Sequence, residues 1–374
     1  MTTRQSAGRR RYRPDMPETP RTEDAAGASA HLSGPSPDDH RADLDVVAIG
    51  SAIVDVLVEA DDADLERLGL QRGTMLLVDR ARADELDRLV APSARSSGGS
   101  AANTAVGIAA LGGRAGFIGA TVGDVLGRLF RSDLAACGVR LGRLGERPAQ
   151  VTEGRDGVAT GRCVVFVTPD GERTMVTYLG AAATLTQEDL DEELVAAAQL
   201  VYLEGYLWDV PSARAAMRRA VEVAHQAGGV VALSASDPLC ASRHRRAFRD
   251  LLVDQVDVLF ANEEEAKALF GAGDIAAVLS AARDTGVLVV VTRGAAGATV
   301  VTGSGPVEVP AEETEVVDTT GAGDLFAAGF CYGLTHGADP DQCARLGAAC
   351  AAEVVSHLGA RPTGDLRRMV AAHL

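Results

Sequence analysis

Four short and almost wholly apolar runs recur in the second half of the chain, at residues 200–203, 230–233, 256–260 and 287–291, each followed by a segment with helical spacing. A strand that is apolar throughout must be covered on both faces. Alternation of such strands with helices builds a mostly parallel sheet between two helical layers, an α/β sandwich of three layers. The run at 45–50 has the same character and ends at Gly50. A parallel sheet of this type binds its ligands beyond the carboxyl ends of its strands. That is where chemistry-bearing residues are to be sought.

A second pattern sits on top of the first. Residues 52–59 and 75–79 are short β-type stretches. Residues 158–180 alternate in hydropathy around Pro169-Asp170-Gly171, which predicts a hairpin. The two separated segments, about 52–80 and 158–180, predict a small β-sheet apart from the main one, suited to a lid or a dimer face. A further hairpin is expected over 297–309. Helices are expected at 100–111, 125–137, 325–334 and 340–357. Residues 1–43 are rich in Arg, Pro, Asp, Ser and Gly with few large aliphatics, and read as a disordered tail. Residues 44–374 then form one domain.

Formal net charge is −16 over 374 residues, which argues against nucleic acid or an anionic membrane surface as partner. Lysine occurs once, at Lys267, so a Gly-Lys-Ser/Thr phosphate loop is impossible. No Gly-x-Gly-x-x-Gly stretch exists. The six cysteines form no Cys-x-x-Cys pair and lie mostly in apolar runs, as expected of buried, reduced thiols in a cytoplasmic protein. No apolar run approaches membrane-spanning length.

Five segments carry chemistry. In Asp318-Thr-Thr-Gly-Ala-Gly-Asp324, a strand-like Val316-Val317 meets a turn, then Gly321-Ala322-Gly323, then a helix opening at Asp324. Backbone N–H groups at a helix start lack internal partners and carry the positive end of the dipole, so they can hold a phosphate. Asp324 reads two ways: as a first-turn acid that favours the dipole, or as a base taking a hydroxyl proton. Gly98-Gly99 precedes a helix with Asn103 in its first turn. An amide there can grip vicinal hydroxyls, although Ser100 also reads as a simple N-cap. Asp55 is a carboxylate within an apolar run, either a hydroxyl acceptor or an exposed edge acid. Asn262 and Glu265 follow the run at 256–260 with capping-box spacing, at a position suited to Mg²⁺-bound water or phosphate. Thr292-Arg293-Gly294-Ala-Ala-Gly297 is a glycine-rich turn that admits a nucleotide, with Arg293 and Arg173 as candidate phosphate partners.

Taken together these residues resemble the ribokinase (PfkB) family of sugar and nucleoside kinases over residues 45 to about 365. The resemblance rests on Asp318–Asp324, Gly98-Gly99…Asn103, Gly119…Gly123-Asp124…Gly127 and Asn262…Glu265, in that family's order. It implies a ribokinase-like α/β/α sandwich with a β-sheet lid, and ATP-dependent phosphorylation of a hydroxyl. Asp324 would be the base and the Gly321, Ala322 and Gly323 amides an anion hole. Asn262 and Glu265 would order Mg²⁺ through water. Asp318 and Thr320 would bind a monovalent cation such as K⁺. Segments 157–161, 170–175, 202–206 and 233–239 are most similar to adenosine kinase-like members. By that likeness Asp55, Gly99 and Asn103 would hold ribose hydroxyls, Tyr206, Leu207 and Leu239 would line a base pocket, and Arg173 would approach the phosphates. The chain is expected to be a monomer or a homodimer that pairs through the lid, with a small-molecule nucleoside or sugar as partner. A free-sugar or sugar-acid kinase, and a silent nucleoside-binding protein, remain open alternatives.

Overall fold

The computed structural model describes residues 43–142 and 157–374. Of the expected tail, residues 1–43, only Asp43 is among them. The main sheet uses β1 (Leu44–Ile49), β5 (Ala115–Ile118), β6 (Arg140–Leu141), β9 (Ala198–Glu204), β10 (Val230–Ser234), β11 (Val258–Asn262), β12 (Leu288–Thr292), β13 (Ala298–Thr302) and β14 (Gly305–Val309). Their order is β14-β13-β12-β11-β10-β9-β1-β5-β6, parallel from β6 to β12 and antiparallel over the final hairpin.

The lid sheet uses β2 (Ile53–Glu59), β3 (Met75–Leu77), β4 (Ala94–Gly98), β7 (Gly161–Val167) and β8 (Arg173–Tyr178), in the order β3-β8-β7-β2-β4. The helices are α1 (Asp62–Arg67), α2 (Arg80–Leu89), α3 (Ser100–Ala110), α4 (Val125–Ala136), α5 (Glu192–Ala196), α6 (Pro211–Gln226), α7 (Pro238–Arg243), α8 (Arg245–Asp254), α9 (Glu263–Phe270), α10 (Ile275–Thr285), α11 (Ala322–Thr335), α12 (Pro340–Val355) and α13 (Arg367–His373).

The two-sided burial inferred from the sequence is present. Alternate residues of each central strand enter opposite apolar layers, as the two-residue period of a strand requires. Val46 and Ala48, Leu200 and Tyr202, and Val258 and Phe260 join the layer under α3, α4, α11 and α12. Val47 and Ile49, Val201 and Leu203, and Leu259 and Ala261 join the layer under α6, α8, α9 and α10. The lid shares the first layer through Val54, Val56 and Val58 of β2. Its outer edge, β3, leaves Met75, Leu76 and Leu77 exposed.

Three expectations need correction. The lid has a third contribution, β4, which lies outside the two expected segments. It pairs antiparallel with β2, so Asp55 stands opposite Ser96. Val316 and Val317 form no strand; they are an exposed stretch tied to α12 by Val317 N–H donating to Val355 O at 2.8 Å. Five cysteines are buried as expected, but Cys137 is exposed.

Small residues let the helices of the first layer come very close. A Cβ added to Gly329 of α11 would lie 2.7 Å from Leu346 O and 2.8 Å from Gly347 Cα of α12. One added to Gly347 would lie 2.8 Å from Phe326 O. Gly329→Ala should therefore push α11 and α12 apart and destabilise the fold by about 1–3 kcal/mol, read as a lowered urea midpoint. An unchanged midpoint would show that the crossing tolerates a methyl group.

Candidate active site

Helix α11 starts at Gly321, whose φ of 80° is left-handed and suits glycine. Ala322, Gly323 and Asp324 form its first turn. The Ala322 N–H donates weakly to Thr319 O at 3.3 Å. Gly323 is exposed, and a Cβ there would meet nothing within 4 Å, so the space beside this helix start is open. Helix α3 starts at Gly99, with φ of 94°, at the direct end of β4.

The two helix starts meet at Asp324. Ser100 Oγ donates to Asp324 Oδ1 at 2.7 Å, and Asn103 Nδ2 donates to Oδ2 at 2.8 Å. Thr104 Oγ1 donates to the Asp324 carbonyl at 3.3 Å. Ser100 is thus not the N-cap of α3; its hydroxyl serves Asp324. Burial raises the Asp324 carboxyl above the usual range, while the two hydrogen bonds and the charge of Arg361 pull it part of the way back. A carboxylate so placed can accept a proton from a nearby hydroxyl.

Two further acceptors face the same space. Asn103 Oδ1 is buried and has no partner. The Asp55 carboxylate lies over Gly98, where any side chain would collide with it. No hydrogen bond reaches it from the described residues. Burial pushes Asp55 to about 6, raised further by Asp324 and opposed by Arg361 and Arg173. Asp55, Asn103 and Asp324 are therefore neighbouring groups with acceptor capacity left over.

Glu204, at the carboxyl end of β9, was missed. Its Oε1 accepts Ser51 N–H at 3.2 Å and its Oε2 accepts Ala101 N–H at 3.0 Å, which fastens the end of β1 to the first turn of α3. Burial pushes it to about 7. An acid closing an apolar run was the available signal. Arg361, in the loop after α12, gave none.

At the next strand ends, Asn262 and Glu265 form the expected capping box at the start of α9, and Asn262 Nδ2 also donates to Glu265 Oε1 at 2.6 Å. Burial raises Glu265 to about 7. Thr292 ends β12. Gly294 and Gly297 take left-handed φ values of 56° and 82° in the turn that follows. Arg293 faces Glu263 at 3.7 Å.

Other candidates are arranged differently from expectation. Arg173, on the lid, forms a buried ion pair with Asp318. The Asp318 carboxylate also accepts Thr320 N–H at 3.0 Å and Gly359 N–H at 2.6 Å. A guanidinium thus stands where a monovalent cation was expected. Tyr206 is pinned by its hydroxyl donating to Ser236 O at 3.1 Å; Ser236 itself has a left-handed φ of 72°, uncommon for a residue with a side chain. Leu207 is buried in the apolar layer. Leu239 opens α7 and is 73% exposed. Nearby, Asp209, Cys240 and His244 cluster, but Asp209 already pairs with Arg243 and His244 at 2.5 Å each.

Asp55 makes a pH-dependent demand on stability. Its carboxyl titrates at 3.8 unperturbed and about 6 here, so between these values the folded state holds the proton more tightly than the unfolded state. Stability therefore falls as pH rises through that window, and the full cost, on the order of 2–3 kcal/mol, is present above it. Asp55→Asn should melt higher than the parent at about pH 8, the gap closing by about pH 4. A gap of the same size at both pH values would overturn the account.

Comparison with known proteins agrees with this geometry. A model of the "pfkB family carbohydrate kinase" matches residues 45–365. A fructokinase of Klebsiella pneumoniae is 32% identical, over 67% of this chain and 80% of its own. An adenosine kinase of Saccharomyces cerevisiae is 29% identical over 84% and 95%. Among solved structures, a probable sugar kinase from Rhizobium etli superposes with TM-score 0.81 at 38% identity, covering 88% of this chain and 98% of the other. An adenosine kinase from Sinorhizobium meliloti superposes with TM-score 0.80 at 41% identity, covering 88% and 99%. With the three-layer sandwich, the β-sheet lid and the family match over most of its length, the chain belongs to the pfkB family of carbohydrate kinases and is an ATP-dependent sugar or nucleoside kinase of ribokinase-like fold.

Proposed function

We propose that the acceptor is adenosine and that its 5′-hydroxyl is phosphorylated to give AMP and ADP. The observation that carries the chemistry is the meeting of Asp55, Asn103 and Asp324 around one space, with the start of α11 beside it. The ribose 2′- and 3′-hydroxyls donate to Asp55 and to the unpartnered Oδ1 of Asn103, with Gly99 allowing close approach. The 5′-hydroxyl faces Asp324. Tyr206, held by two hydrogen bonds to Ser236, offers a ring to the base, with exposed Leu239 beside it. The 41% identical adenosine kinase structure supports this acceptor.

In the reaction the 5′-oxygen forms a bond to the γ-phosphorus while its proton passes to Asp324. The bond from that phosphorus to the bridging oxygen breaks, and its electron pair leaves with ADP. Asp324 has lone pairs to spare beyond the two it gives to Ser100 and Asn103. Its raised affinity for a proton suits a base that must accept one in the transition state. The Gly321, Ala322 and Gly323 amides face the transferring group with the positive end of the helix dipole.

Thr292, Gly294 and Gly297 admit the nucleotide, with Arg293 at its edge. Asn262 and Glu265 fit a Mg²⁺ held through water: they offer hard oxygens, and the charge on Glu265 is costly until a cation faces it. Bound there, the ion would offset phosphate charge. Arg173 turns from Asp318 to the phosphates as ATP enters. With Arg173 withdrawn, Asp318 and Thr320 would hold K⁺, which would supply fixed positive charge beside the start of α11.

Two measurements test this reading. Asp324→Asn should lower kcat by about 10²–10⁴-fold in a variant whose circular dichroism spectrum shows it still folded; near-normal turnover would remove Asp324 from the role of base. In a coupled assay for ADP formation, adenosine should exceed ribose, fructose and 2-keto-3-deoxygluconate in kcat/KM by at least about tenfold. A faster sugar would replace adenosine as acceptor and leave the kinase chemistry in place.

A further inference from the structure

The loop after α12 touches the Asp318–Gly321 segment, β4 and α3. Gly359 N–H donates to Asp318 Oδ2 at 2.6 Å. Ala360 backs Gly321 so closely that a Cβ on Gly321 would lie 2.8 Å from Ala360 Cβ. Arg361 comes next, and its guanidinium enters between β4 and α3. Nε and Nη2 donate to Ser97 O at 3.2 and 2.7 Å, Nη2 also to Ser97 Oγ at 2.8 Å, and Nη1 to Ala102 O at 3.0 Å.

All of these acceptors are neutral. Among the described residues no carboxylate forms an ion pair with Arg361, and burial disfavours its charge. A buried cation without a paired anion is unfavourable, and a neutral amide could tie the same two segments. The charge therefore needs another use. Asp133 of α4 is one hydrogen bond removed, accepting from Ser97 N–H at 2.8 Å and from the Ser97 hydroxyl. The remaining ionisable groups around the guanidinium are the Cys137 thiol at the end of α4, Asp55 on the lid and Asp324 on α11.

Only Arg361 among the described cations acts on Asp324. The other groups around that carboxylate are Ser100 and Asn103 of α3, Tyr202 and Glu204 of β9, Tyr206 of the turn after β9, Glu265 of α9, and Asp55. None of these carries positive charge. Asp55 feels Arg173 as well as Arg361, with Asp324 and the Cys163 thiol opposing.

We propose that Arg361 is a positioning residue for phosphoryl transfer: its hydrogen bonds to Ser97, beside the Gly98 that Asp55 overlies, and to Ala102, beside Asn103, fix the groups that meet at Asp55 and Asp324, and its unpaired charge favours the charged forms of those two carboxyls. This rests on the reading of Asp324 as base and Asp55 as hydroxyl acceptor.

The test separates charge from scaffolding and needs no substrate. Aspartate carboxyl carbons labelled with ¹³C are titrated by NMR, the two signals being assigned by their loss in Asp55→Asn and Asp324→Asn. Arg361→Gln should raise both midpoints by about one pH unit, and Arg361→Lys should leave both near the parent values. With ATP and adenosine, the acid limb of kcat/KM should move upward by the same amount in Arg361→Gln and return in Arg361→Lys. Unchanged midpoints in Arg361→Gln would overturn the proposal. So would equal loss of turnover in both variants with parental titration, the mark of a purely structural tie. If Arg361→Gln does not fold, Arg361→Met is read in the same way. Normal turnover in Asp324→Asn would refute the base assignment alone, because the carboxyl titrations stand without it.

Discussion

Helices α3 and α11 approach so closely that a Cβ on Gly107 would lie 2.6 Å from Ala328 Cβ and 2.8 Å from Leu325 Cδ1. Small residues at this crossing bring two helix starts side by side, and the donors on one reach the acid on the other. A larger residue at Gly107 would hold Ser100 and Asn103 away from Asp324 and leave a buried carboxylate without its hydrogen bonds. The same economy of side chain repeats between α11 and α12, which seats Ala360 under Gly321 and leads the chain to Arg361. The site is therefore an outcome of helix packing in one apolar layer, expressed at the end where the strands stop.

That end of the molecule gathers acids in a chain already rich in them. Asp55, Glu204, Glu265 and Asp324 are all raised by burial, each at the carboxyl end of a strand, the start of a helix or the adjoining lid. Two arginines, Arg173 and Arg361, supply the nearby positive charge. Such a concentration lowers stability, and strongly perturbed acids of this kind gather at functional sites. Glu204 answers part of the cost by accepting two backbone N–H groups, which turns an expensive charge into a fastener between β1 and α3.

Much of this was legible in the sequence, for identifiable reasons. The central strands are apolar on both faces, and no other arrangement buries them. The Asn262–Glu265 capping box and the Gly321 helix start are local, so short spacing carries them. The failures are equally physical. Residues 94–98, Ala-Arg-Ser-Ser-Gly, have little strand preference and become β4 only because β2 offers an edge to pair with. Val316 and Val317 have strand preference and find no partner strand. Arg173 was matched to phosphate by charge, while its ion pair with Asp318 depends on how the lid meets a loop 145 residues away. Arg361 sits in an irregular loop, where no period marks a residue as buried.

Strand β4 of the lid becomes helix α3 of the main body across Gly98 and Gly99, with no intervening loop. Asp55 pairs across from that strand, and Asn103 lies one turn into that helix. A connection this short has no slack. Any rotation of the lid about the glycine pair turns the first coil of α3 with it, and with that coil the groups that grip Asp324. On the proposed reading, covering the acceptor and aligning the base are then one mechanical event, so a lid resting at the wrong angle would leave the chemistry out of register even with both substrates in place.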